Sequence, residues 1–147
     1  MIRLIVMSMA ITIGAGVMAI GYGLQANAAP TDAETLGPGE VTVEINITHS
    51  KFVIDELALR PGTSVRFVVR NHDPIRHELI VGPPEVHARH ATGREAEHPP
   101  VPGEVSVDPG QTAETTYRFE RVGPIEYACH LPGHYEYGMQ GWVQIVA

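Results

Sequence analysis

Residues Tyr127 to Val143 read YACHLPGHYEYGMQGWV. This stretch holds the single cysteine of a 147-residue chain, together with His130, His134, Met139 and the turn-formers Pro132, Gly133, Gly138 and Gly141. Ile125, Tyr127 and Cys129 alternate with Glu126, Ala128 and His130, the pattern of a half-buried strand that ends near the cysteine. Pro132-Gly133 suits the two central positions of a type II turn. The chain is therefore expected to leave a sheet at Cys129, fold back on itself, and re-enter in a closing strand that begins at Trp142. On the loop between, His134 follows Cys129 by five positions and Met139 follows His134 by five. A thiolate, an imidazole and a thioether on one tight loop are donors that suit copper, since sulfur stabilises Cu(I) and imidazole serves both oxidation states.

Outward from this loop the same period of two recurs. Val41, Val43, Ile45 and Ile47 alternate with polar residues, and RPGT (Arg60 to Thr63) turns the chain into Val65, Phe67 and Val69. NHDP (Asn71 to Pro74) breaks it again before His77, Leu79 and Val81, which share one face, with Glu78 and Ile80 on the other. After DPGQ (Asp108 to Gln111), Thr115, Tyr117 and Phe119 share a face. Six or seven short strands joined by Pro-Gly turns predict an antiparallel β-sandwich. His77 is the candidate second imidazole for a copper site, because it begins a strand and faces inward. His72, inside a turn, and His49, at a strand end, are its rivals.

Residues 83 to 104 (PPEVHARHATGREAEHPPVPGE) do not alternate and read as an insertion between strands, with a short helix in its middle. His87, His90 and His98 lie in it, and the expectation is a polar loop that holds no second ion. His130 is turned away from Cys129 by the alternation and reads as a solvated strand-end histidine. Asn71 is expected to tie loop backbone near the site through its side chain.

At the other end of the chain, Arg3 precedes an apolar run to Leu24 and the small-residue site Ala26-Asn27-Ala28. This order reads as a secretory signal over residues 1–28, with a retained membrane anchor as the alternative. Residues 29–40 then form a flexible tail, and residues 41–147 one domain. An exported chain with one cysteine has no internal disulfide, which leaves its thiol inert and buried or chemically employed. The net charge of −7 and the lack of a basic patch argue against nucleic acid as a partner.

The segment CHLPGHYEYGM together with the distant NHDPIRHELIV resembles the type 1 copper site of the cupredoxins, a superfamily that includes plastocyanin, azurin and rusticyanin. The resemblance covers roughly residues 41 to 147. It implies an all-β Greek-key sandwich, cupredoxin-like, with the histidine-containing insertion added. One type 1 copper ion is the implied cofactor, held at the positions His77, Cys129, His134 and Met139. The implied role is that of a periplasmic or secreted monomer carrying single electrons between redox partner proteins, without enzymatic turnover. Copper tolerance or delivery is the alternative. The loop also looks like that of multicopper oxidases, but Ala128 stands where those have a histidine, and the chain lacks their His-x-His pairs. A thiol hydrolase built on Cys129 would explain neither Met139 nor its flanking glycines.

Overall fold

The computed structural model describes residues 36–93 and 101–147. The proposed signal segment and His98 lie outside the described residues. Among the described residues, nine strands and one helix follow in the order β1 (Gly39–Ile47), β2 (Phe52–Val53), β3 (Ala58–Leu59), β4 (Thr63–Asn71), β5 (His77–Gly82), α1 (Pro84–Ala91), β6 (Glu104–Val107), β7 (Thr112–Phe119), β8 (Gly123–Ala128) and β9 (Gln140–Ile145). One sheet has the order β2-β1-β4-β7 and the other β3-β9-β8-β5-β6. The apolar faces picked out by alternation meet between them. Ile45, Ile47, Val65, Phe67, Val69, Leu79, Val81, Phe119, Val143 and Ile145 form one core, which also contains Cys129 and Met139.

The sandwich is mixed rather than antiparallel. β1 runs parallel to β4, from Gly39 opposite Thr63 to Ile47 opposite Asn71, and β3 runs parallel to β9. The cause is a crossing of the chain. After β1 it turns into β2 and passes to the second sheet as β3, so it returns to β4 in the direction of β1. Pairing also precedes Val41: Leu36 bridges to Leu59, and Gly39 already belongs to β1.

The insertion is the largest departure from expectation. Pro84 occupies the first turn of α1, where its missing N–H costs nothing, and the helix ends at Thr92 and Gly93 (φ 67°). It packs on the outer face of β5, so all six residues of that strand are buried, including Glu78 and Ile80. His87 and His90 are turned inward and are 5% and 4% exposed. They are not part of a polar loop. The closing strand, expected to begin at Trp142, starts at Gln140, and Trp142 is 53% exposed because Val143 and Ile145 take the inward register of β9.

Candidate metal centre

β8 ends at Ala128 and β9 begins at Gln140, so residues 129–139 form a loop over one end of the sandwich. Its backbone is closed on itself. His134 N–H donates to Leu131 O (2.9 Å), with Gly133 at φ 81°, which is the Pro132-Gly133 turn expected. Met139 N–H donates to His134 O, and Cys129 N–H donates to Met139 O, both at 3.0 Å. These bonds draw the backbones of Cys129, His134 and Met139 together.

The partner strand supplies the rest. Ile80 of β5 lies opposite Ala128 of β8, which places His77, at the start of β5, beside the loop. His77 Nδ1 lies 3.2 Å from His134 Nδ1, and Cys129 Sγ lies 3.3 Å from that same nitrogen. The three donor atoms all fall within 4.8 Å of one another. His77, Cys129 and Met139 are fully buried, while His134 is half-buried at the rim. His72 and His49 are elsewhere: His72 Nε2 is 2.8 Å from Asn46 Oδ1, and His49 contributes its backbone N–H to Asp73.

Asp73 was not singled out by the sequence, although it lies in NHDP. One oxygen accepts the N–H of His49 (2.7 Å), and the other accepts that of Ser50 (2.7 Å) and faces His77 Nε2 (3.0 Å). His49 and Ser50 both take left-handed backbone (φ 52°), which aims their N–H groups at the carboxylate. Burial pushes the Asp73 carboxyl up, but the Ser50 and His49 N–H groups and His77 outweigh it, and the group ends below its ordinary value. An ionised Asp73 keeps the His77 proton on Nε2, so the Nδ1 lone pair points at His134. Asn71 braces the same end, with its side-chain NH2 shared among the carbonyls of Ile75, Val107 and Asp108 (2.8–3.1 Å) and its oxygen accepting Asp73 N–H (2.9 Å).

The donor chemistry fits copper. Burial pushes the Cys129 thiol up to about 11, against lowering by the backbone N–H groups of Glu78 and Leu131 and further raising by the Glu78 charge. Burial, then the neighbouring His134, lowers His77, and Asp73 opposes them. The pocket thus holds a thiol that ionises only for a strong Lewis acid, beside an imidazole kept neutral. One thiolate, two imidazoles and a buried thioether are a soft set for a copper ion that changes oxidation state.

Comparison with known proteins agrees. A model of copper-binding proteins of the plastocyanin/azurin family matches residues 39–146. The copper-resistant cuproprotein CopI of Pseudomonas aeruginosa is 26% identical over 168 aligned residues, covering 88% of this chain and 92% of that protein. Its namesake in Rubrivivax gelatinosus is 35% identical over 92 residues, 60% of this chain and 56% of that one. Among solved structures, auracyanin A of Chloroflexus aurantiacus, described as a blue copper protein, superposes with a TM-score of 0.56 at 25% identity, covering 74% of this chain and all of that one. The two-sheet sandwich, the closed Cys-His-Met loop and the matched family model lead to one conclusion: this chain belongs to the plastocyanin/azurin family of copper-binding proteins.

Proposed function

We propose that the protein is an exported type 1 copper protein that serves copper tolerance, with His77, Cys129, His134 and Met139 as the copper ligands. The observation that carries the chemistry is the buried convergence of His77 Nδ1, His134 Nδ1 and Cys129 Sγ in a loop closed by its own backbone. Copper bound there supplies a one-electron Cu(I)/Cu(II) couple. Everything else is done by the chain. Asp73 holds the His77 tautomer, the backbone N–H groups of Glu78 and Leu131 stabilise the Cys129 thiolate, and the apolar core around Met139 excludes water. The donors are held together by the fold, so little rearranges as charge changes. We read the protein as a binding and redox protein rather than an enzyme.

The tolerance reading rests on relatives named copper-resistant cuproproteins, one of them aligned along nearly its whole length. The apolar run between Arg3 and Leu24 supports export. A strain lacking the protein should grow poorly in elevated copper and recover with the native chain but not with Cys129→Ser. Normal growth of the deletion strain would refute tolerance as its purpose. A second reading, a dedicated electron carrier, is favoured by the preformed donor set and the likeness to auracyanin. It predicts an intense visible thiolate-to-copper band and reversible voltammetry together with unchanged copper sensitivity.

A further inference from the structure

We propose a second metal site, distinct from the first, in which His87 Nδ1 and His130 Nε2 bind one divalent cation of the imidazole-preferring class, Cu(II) above all. His87 Nε2 lies 3.1 Å from Gly82 O and 3.3 Å from Glu126 O. A ring nitrogen facing carbonyl oxygens carries the proton, so Nδ1 of this buried ring holds a lone pair. This nitrogen faces His130 Nε2, 2.9 Å away. Two nitrogens each about 2.0 Å from one ion, at angles from square to tetrahedral, lie about 2.8–3.3 Å apart. The first centre shows the same spacing, with 3.2 Å between the ring nitrogens of His77 and His134.

The surroundings suit a cation. His130 is fixed by its own backbone N–H, which donates to the buried Glu78 (2.8 Å), and its ring stacks on Tyr135 at 13°. The Tyr135 hydroxyl donates to Glu126 (2.9 Å). Buried His90 bonds Glu104 (3.0 Å), and Arg89 bonds the other oxygen of that carboxylate (3.1 Å). A cavity of about 520 Å³ opens beside the pair, with His87, His130, Tyr135 and Glu136 in its wall. It gives water access to the remaining coordination positions.

Without metal, His130 donates its Nε2 proton to His87 Nδ1. On binding, that proton moves to His130 Nδ1 through solvent, both rings stay neutral, and two lone pairs face the ion. The site is local to α1 and the residue after Cys129, so it stands whether or not the chain serves tolerance.

Equilibrium dialysis of the native protein against Cu(II) at neutral pH, with metal analysis and electron paramagnetic resonance, tests the proposal. Native protein should bind two equivalents. The second should give a signal with wide copper hyperfine splitting and pulsed-resonance coupling to two imidazoles. His87→Ala and His130→Ala should each keep the visible band of the first centre and bind one equivalent. One equivalent in native protein would overturn the proposal, as would two equivalents in either variant. If a variant loses the visible band, the native pulsed spectrum decides: coupling to two imidazoles on the second ion upholds the site, and one or none refutes it.

Discussion

At the scale of single residues, the proposed copper centre is braced by a carboxylate outside its donor set, Asp73, which bonds His77. Asp73 neutralises nothing at the surface, since its two oxygens are taken by His49, Ser50 and His77. Asp73→Asn leaves an amide that cannot accept at both ends, so the 49–50 turn and the His77 ring both lose their hold. Copper affinity should drop about ten- to a hundredfold, the range for partners that orient metal-bound histidines, as read by chelator competition, while the visible band persists. An unchanged affinity would mean that the core alone orients His77. Met139 makes a different point, because it is fully buried and its backbone closes the loop onto Cys129. Met139→Leu should keep the colour and raise the reduction potential in voltammetry, since an apolar side chain offers the oxidised ion nothing. A potential equal to the native one would make Met139 core packing only.

At the scale of elements, the loop and the helix are separable. The loop is held by β5, β8 and its own hydrogen bonds, whereas α1 lies across the outer face of β5. Ala88 is exposed in the helix interior. Ala88→Pro removes a helical hydrogen bond and clashes with the preceding turn, which costs about 3 kcal/mol or more of local stability. The variant should be cleaved faster by protease around α1 yet retain the visible band. Loss of the band would show that the helix holds up the first centre. Gly141 ties the loop to β9 in another way. It lies opposite Tyr127, whose ring crosses it so closely that any Cβ there would strike the phenol.

At the scale of the whole molecule, stability is linked to both metal and acid. Copper that binds the folded chain and not the unfolded one should raise stability by about 4 kcal/mol at a thousandfold excess over the dissociation constant. Acid acts through His130 and His77. Burial, then His87 and His90, lowers His130 to about 4 against the raising effect of Glu126 and Glu136, and His77 is lowered too. Between that value and the ordinary 6.5, the unfolded chain takes up protons that the folded chain refuses. The share of stability due to His130 is therefore full above 6.5 and is lost as pH falls to about 4. The melting temperature of metal-free protein should follow this course, and His130→Asn should flatten it in part, with the remainder due to His77. A native melting temperature constant from pH 7 to 4 would contradict the assignment.

What the sequence by itself determined was local. Period-two alternation located the strands and their inward faces, because consecutive side chains of a strand must point to opposite sides. The spacing from Cys129 to His134 to Met139 marked the candidate copper loop, since all three potential donors ride on one short segment with its turn residues in place. Tertiary structure alone decided what depends on distant segments meeting. It brought His77 to the loop through the pairing of β5 with β8, and Asp73 to His77 through the 49–50 turn. It made the β1–β4 pair parallel, because direction follows from the route of the chain between sheets. It also laid α1 over β5 and so turned His87, His90 and His130 from surface residues into a cluster. Alternation tells which residues share a face of a strand. It does not tell what covers the second face.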